Sequence, residues 1–406
     1  MLNWAKQFSI HVFFDNNSYA PYGDTGYECL LSAGCLRFID TNLEDLQQLH
    51  DKYNDWITGH ISYDYKNLLE SKLTSAHIEK TGFPLIHFFI PETVCYINKE
   101  QNQFTIAATG DADRIYEQLM AVKLELSTEL PVLGFKRSIN REEYIAKIQQ
   151  LRTHIANGDC YEINYCNMGY CENAEVDPLA VFNALNSLSP APFAAYYRLN
   201  ERYMMCASPE RYLRKTGDVI STQPIKGTAR RSSDNAEDEK IKTELRSNIK
   251  EQAENVMIVD LARNDLARTC NVGSVRVNEL FGLYTYPQVH HLISTISGTL
   301  RVGTPLTDAI KHSFPMGSMT GAPKYKVMEL IEQHELSRRE LFSGTIGYID
   351  PSGNFDFNVI IRSLFYNTCT RFICYQTGGA ITFDSIPEQE WEETRLKAWA
   401  LERIFS

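Results

Sequence analysis

Lys226, in the run Gln223-Pro224-Ile225-Lys226-Gly227-Thr228, is followed by glycine, so one side of its amine is uncrowded and it is a candidate nucleophile. An amine attacks carbon only when unprotonated, which requires surroundings that lower its pKa or a partner that takes its proton. Taken alone the residue reads more readily as a solvated lysine in a turn. Glu210, directly after Ser208-Pro209 and the apolar run Tyr203 to Ala207, would serve as a general acid if desolvation raised its pKa. Two acidic pairs, Glu251 with Glu254 and Glu390 with Glu393, are spaced to project from one face of a helix. Such pairs are common in a chain with 51 acidic residues, but both stand where a polar helix turns apolar. Glu254 runs into Val256-Met257-Ile258-Val259, and Glu393 into Leu396, Ala398, Ala400 and Leu401. Carboxylates drawn below the surface are costly unpaired, and a divalent cation bound through oxygen is one resolution. Magnesium suits this set, since it takes one or two carboxylates, several waters and an anionic ligand.

Other residues add weaker signals. The loop Pro315 to Lys324, with Gly317 and Gly321, feeds a helix expected over 322–335 with Pro323 in its first turn, a setting that suits a carboxylate or phosphate. Arg362 interrupts the strand-like run Val359 to Leu364 and offers a planar fork for a carboxylate. Lys397 lies one helical turn after Glu393, the spacing of an ordinary ion pair. His291 reads either as a satisfied core histidine or as a hydrogen-bonding group in a site.

The elements that must position these residues follow from the pattern of apolar positions. Up to about Glu129, short apolar runs such as Leu85 to Ile90 are broken by Asn, Asp, Gly and Pro clusters, and the run Phe8 to Phe14 reads as a first strand. A turn-rich stretch over 127–138 marks a subdomain boundary near residue 130, dividing a single unit over 1–406 into an N-terminal subdomain, 1–130, and a core, 131–406. Beyond it a helical stripe from Tyr144 to Ile155 ends at Asn157-Gly158. Strand-like runs then fall at 193–199, 203–207, 219–221, 342–349, 359–366 and 371–375, and long helical patterns at 237–258, 322–335 and 387–404. Neighbouring strands with short connections, followed by helices, indicate an α+β fold of antiparallel sheets with helices outside.

Bulk properties exclude several classes. The chain of 406 residues carries a formal net charge of -11, which argues against a nucleic-acid or anionic-membrane partner, so positive charge for an anionic ligand must be local. No apolar run is long enough for a membrane helix. Ten cysteines without a Cys-x-x-Cys pair read as reduced thiols of a cytoplasmic protein.

The ordered segments from about Ile139 onward resemble the chorismate-utilising enzymes, and within them the branch of aminodeoxychorismate synthase component I. They are Gly158-Asp159-Cys160-Tyr161-Glu162-Ile163-Asn164, Ser208-Pro209-Glu210-Arg211, Pro224-Ile225-Lys226-Gly227-Thr228, Asp260-Leu261-Ala262-Arg263-Asn264-Asp265, His291-Leu292, Gly321-Ala322-Pro323-Lys324, Gly344-Thr345-Ile346-Gly347-Tyr348 and Asp384-Ser385. The resemblance implies two antiparallel sheets packed together with helices outside, and chorismate held on Mg2+. It implies Glu254 and Glu393 as metal ligands, with Glu251 and Glu390 acting through water. Arg362, Tyr348 and the backbone at Gly321 would hold the enolpyruvyl carboxylate, with Lys397 near the metal, His291 near the ring and Thr228 among the substrate-binding residues.

The same resemblance implies a reaction. Lys226 would add to ring carbon 2 while Glu210 protonates the departing 4-hydroxyl, and ammonia would then give 4-amino-4-deoxychorismate. Anthranilate synthases, the alternative, usually carry alanine in place of that lysine. Isochorismate and salicylate synthases place a base lysine where this chain has Glu162. No Gly-x-Cys-x-Gly nucleophile elbow is present, so the resemblance implies a separate glutamine amidotransferase subunit supplying ammonia. The chain departs from the family in reading Gly378-Gly379-Ala380 where Gly-x-Gly is usual, so the backbone at Gly379 and Ala380 is expected to sit differently beside the substrate carboxylate. Leu68-Leu69-Glu70-Ser71 resembles a tryptophan-binding motif but comes too late in the chain, and no tryptophan feedback is expected.

Overall fold

A computed structural model describes residues 1–19, 26–98, 102–123, 129–286 and 289–406. The beginning of the turn-rich stretch at 127–138 lies outside the described residues. The described residues form two large antiparallel sheets of eleven and ten strands. The first runs from Gly321–Ala322 through Glu162–Cys171, Phe372–Ile381, Ser363–Asn367, Arg202–Ser208, Phe193–Leu199, Ile10–Asp15, Cys29–Ala33 and Thr93–Asn98 to Gln103–Ala108, with Lys136–Arg137 beside Glu162–Cys171. The second runs from Ile225–Arg230 through Val289–Thr299, Val219–Gln223, Arg211–Thr216, Phe355–Asn358, Thr345–Ile349, Ile57–Ile61 and Ile86–Ile90 to Arg37–Ile39, with Arg276–Thr285 pairing Val289–Thr299. Both sheets mix strands from either side of residue 130.

Period-two alternation explains the layering. Along Phe193–Leu199, Ala195, Tyr197 and Leu199 enter a core shared with Ile61, Phe88 and Phe357 of the second sheet. Ala194 and Tyr196 point the other way, into a core with the helices Pro178–Leu188 and Pro387–Arg403. Met204 and Cys206 alternate with Met205 and Ala207 in the same manner on the next strand. A strand apolar on both faces is therefore sandwiched between a sheet and a helix layer.

The helix Arg141–Ala156 begins with a reciprocal capping box between Asn140 and Glu143. The pattern expected as one helix over 237–258 is two, Asn235–Ser247 and Ile249–Ala267. Asn248 separates them with an extended backbone, and its side chain accepts from the Lys250 and Glu251 N–H groups. The polar sequence carries no periodicity break there, and an asparagine cap inside it looks like any surface residue. This cap sets the start of the helix that carries Glu251 and Glu254. All ten cysteines are free thiols. No helix among the described residues is long and apolar enough to cross a membrane.

Candidate active site

A cavity of about 720 Å³ opens where the edges of the two sheets meet the helices Ile249–Ala267 and Pro387–Arg403. The second sheet contributes Lys226 and Thr228 from its edge strand and His291 from the strand next to it, and the first contributes Asn164, Thr377, Gly378 and Ala380. The helices add Glu251, Glu254, Glu393 and Lys397, and loops add Glu210, Ser318, Phe342 and Arg362. Ten of the twelve candidate residues converge here, nine of them on the wall itself and Glu390 just behind it.

Lys226 is buried and donates to Glu162 Oε1 at 2.6 Å. Burial opposes its charge, but the carboxylates of Glu162, Glu254 and Glu210 outweigh it and hold the lysine above its ordinary pKa. In the resting site it is an ammonium. Glu210 lies at the end of Arg202–Ser208, with its N–H on Ser208 Oγ at 3.2 Å and the Ser318 hydroxyl donating to its Oε1 at 2.6 Å. Burial raises Glu210 to about 7, against the opposing effects of Ser318 and Lys226. A carboxylic acid able to donate a proton near neutrality thus faces the same cavity as the amine.

His291 pairs in register with Thr228, and Thr228 Oγ1 lies 2.8 Å from His291 Nδ1. Burial, reinforced by the Arg362 charge, lowers His291 to about 3, so its ring is neutral. Arg362 belongs to a break in the sheet rather than to the strand expected over 359–366, which begins at Ser363. Its φ of 52° is left-handed, uncommon for a residue with a side chain. The preceding backbone leaves the ladder because Val359 N–H bonds Glu210 O at 3.0 Å and Ile360 N–H bonds Gly344 O at 2.9 Å. The excursion brings Arg362 to the cavity, and no protein acceptor takes its guanidinium N–H groups among the described residues. That planar fork is open to a ligand carboxylate.

The carboxylates of the two helices face each other. Lys250 Nζ lies 3.7 Å from Glu254 and 3.6 Å from Glu390, and Lys397 Nζ lies 2.6 Å from Glu393 and 2.7 Å from Gly378 O. Burial raises Glu254 to about 7, and burial with the Glu393 charge raises Glu251 and Glu390. Glu393 is lowered, chiefly by the Lys397 ammonium. Buried Glu254 Oε1 has no hydrogen-bond partner among the described residues, and this oxygen beside its mutually repelling neighbours is where a further cation would be accommodated. No three of these groups cage an ion by themselves among the described residues. Mg2+ needs no such cage, because water and an anionic ligand complete its shell. Gly379 is packed against this cluster, as a Cβ there would meet Glu390 Oε2 at 3.2 Å.

Two expectations are corrected. Tyr348 is not on the cavity: three strands separate its strand, Thr345–Ile349, from Val289–Thr299, and its ring packs with Phe14, Tyr27 and Trp56 beside a separate small pocket. Phe342, just before that strand, reaches the cavity in its place. Gly321 is likewise off the wall. It forms a two-residue strand, Gly321–Ala322, against Ile163 and Glu162, and Pro323 precedes the helix Lys324–His334 rather than lying within it. A Cβ at Gly321 would lie 2.1 Å from the Glu162 carbonyl oxygen, and φ is 140°. The glycine is required for close approach to the strand bearing Glu162. Gly321→Ala is expected to cost at least about 1–3 kcal/mol in unfolding experiments, from backbone strain alone. Glu162, Asn164, Ser318 and Phe342 escaped the sequence reading. Of these, Glu162 carried a signal that would have found it, as the charged residue of the strand Glu162–Cys171.

Residues 27–403 match the family model of the chorismate binding enzyme. The chain belongs to the chorismate binding enzymes. It is 33% identical over 360 residues to aminodeoxychorismate synthase component 1 of Bacillus subtilis, covering 85% of this chain and 76% of that one. It is 34% identical to anthranilate synthase component 1 of Thermus thermophilus, with the same coverages. The Escherichia coli aminodeoxychorismate synthase component 1 is 39% identical over 260 residues, 64% of this chain and 57% of that one. In structure, anthranilate synthase component I of Streptococcus pneumoniae superposes with a TM-score of 0.81 at 24% identity over 92% of each chain. The isochorismate synthase MenF of Escherichia coli does so with a TM-score of 0.81 at 18% identity, over 100% of this chain and 91% of that one. Both share the fold with this family member.

Proposed function

We propose that the chain is an aminodeoxychorismate synthase component 1, converting chorismate and ammonia to 4-amino-4-deoxychorismate and water. The observation that carries this reading is the amine of Lys226 on the cavity wall, facing the same space as a Glu210 carboxyl that burial holds near neutrality. Lys226 Nζ bonds to ring carbon 2, the ring double bonds shift, and the C4–O bond breaks as Glu210 gives its proton to the departing hydroxyl. Ammonia then bonds to carbon 4, the double bonds shift back, the C2–N bond breaks to release Lys226, and the new ammonium on carbon 4 returns a proton to the Glu210 carboxylate. The enolpyruvyl ether stays intact throughout.

The remaining wall residues position the substrate. Arg362 takes the enolpyruvyl carboxylate through its open fork, and neutral His291 with Thr228 bounds the ring. Mg2+, when bound, neutralises the other carboxylate and orients the ring. Glu254 and Glu393 would hold it directly, and Glu251 and Glu390 through water. If so, Mg2+ raises the melting temperature of the wild type, and Glu254→Ala loses that increase. An equal increase in the variant would remove Glu254 from the metal site.

A separate glutamine amidotransferase subunit supplies the ammonia. With chorismate and Mg2+, the isolated chain should turn over with ammonium salt but not with glutamine, and adding such a subunit should confer glutamine use. Glutamine-dependent turnover by the isolated chain would overturn that part of the proposal.

A further inference from the structure

We propose that Glu162 is the base that deprotonates Lys226 before it attacks, a role that rests on the reaction proposed above. Covalent capture requires a free amine, yet Lys226 sits in the resting site as an ammonium. Its direct partner is Glu162, at 2.6 Å. Three features single out this carboxylate. It is 1% exposed and does not line the cavity, so it meets Lys226 from behind and leaves the side facing substrate clear. Its second oxygen, Oε2, is buried without a hydrogen-bond partner among the described residues, so the direct bond recorded for its carboxylate is the one from Lys226. Its backbone is pinned by the short strand beside it: Ala322 and Gly321 pair with Glu162 and Ile163, and Tyr161 N–H donates to Ala322 O at 2.8 Å. The other carboxylates near Lys226 have other tasks. Glu210 must carry a proton to give to the leaving hydroxyl, and Glu254 faces Lys250 across the acidic cluster.

The step balances within the pair. The proton on Lys226 Nζ moves along the existing hydrogen bond to Glu162 Oε1, turning an ammonium–carboxylate pair into an amine–carboxylic acid pair with no change in net charge. Filling the cavity with substrate favours this exchange, because a buried ion pair that loses its remaining water pays a solvation penalty that the neutral pair avoids. When ammonia later expels the lysine, the departing amine recovers its proton from Glu162, and the ion pair is restored.

The test is the rate at which the protein gains the mass of chorismate less water, followed by rapid quench and intact-protein mass spectrometry at saturating chorismate and Mg2+ without ammonia. Glu162→Gln keeps an acceptor for the Lys226 hydrogen bond but cannot take a proton. It should slow adduct formation by roughly 10²-fold or more. Glu162→Ala should be slow as well, and added formate should restore its rate in proportion to concentration. Adduct formation by Glu162→Gln within about twofold of wild type overturns the proposal. So does loss in both variants without response to formate, which would mark Glu162 as merely structural. A wild-type protein that forms no adduct and makes anthranilate from chorismate and ammonium would instead refute the parent reading of the reaction.

Discussion

Lys226→Ala should stop formation of 4-amino-4-deoxychorismate, lowering turnover by roughly 10³-fold or more, the scale on which removal of a covalent nucleophile acts. Chorismate affinity should change far less, because Arg362, Lys397 and the acidic cluster with its metal would still hold the carboxylates. Two effects oppose each other in the variant. Removing an ammonium leaves Glu162 buried and unpaired, which destabilises the fold; a buried charge stripped of its partner costs about 3–5 kcal/mol. The smaller alanine side chain leaves room for water to reach Glu162, which offsets part of that cost, so the variant should melt at a lower temperature than wild type but remain folded. Turnover by steady-state assay and chorismate affinity by calorimetry separate the outcomes. Unchanged turnover would show that the lysine does not form a bond to substrate, and weakened binding with normal turnover would make it only a binding group.

Glu210→Gln is expected to have the next largest effect, about 10²–10⁴-fold on adduct formation, the usual scale of general acid catalysis. The direction of the pH dependence follows from burial. Because burial raises Glu210 to about 7, the carboxyl is largely protonated below that pH and loses its proton above it. The second-order rate of adduct formation in wild type should therefore be level on the acid side and fall tenfold per pH unit above about 7. In Glu210→Gln the rate should be low and that falling limb absent. Following the adduct without ammonia keeps the titration of ammonia itself out of the profile. A limb that persists in the variant would assign the titration to another group. The Ser318 hydroxyl at 2.6 Å favours the ionised form, so Ser318→Ala should move the limb to higher pH.

The residues gathered at the cavity were legible because their types conflict with their surroundings. A charged Arg362 among Val359, Ile360, Ile361 and Leu364 and carboxylates at the polar-to-apolar junctions of two helices both signal groups held below the surface. Strand positions were legible for the same physical reason in reverse, as the alternation in Phe193–Leu199 satisfies two cores at once. The failures share a cause as well. Tyr348 and Gly321 sit in segments that bear the resemblance, but chain proximity to a motif does not place a side chain on a cavity. Tyr348 is carried inward by the order of strands in the second sheet, and Gly321 is consumed by backbone packing against Glu162. Phe342 and Ser318 have no local signature, since a phenylalanine before a strand and a serine in a glycine loop are ordinary until tertiary structure brings them together. The left-handed backbone at Arg362 belongs to the same class: the sequence Ile361-Arg362-Ser363 reads as strand, and only the bonds from Val359 and Ile360 to distant residues pull it out.

The fold is common to relatives named for more than one reaction, so the product decides among them. The direct measurement is mass-spectrometric identification of what the wild-type chain makes from chorismate, Mg2+ and ammonium salt at alkaline pH. The account predicts 4-amino-4-deoxychorismate, with its enolpyruvyl group retained and its nitrogen at carbon 4. Anthranilate as the main product would contradict it.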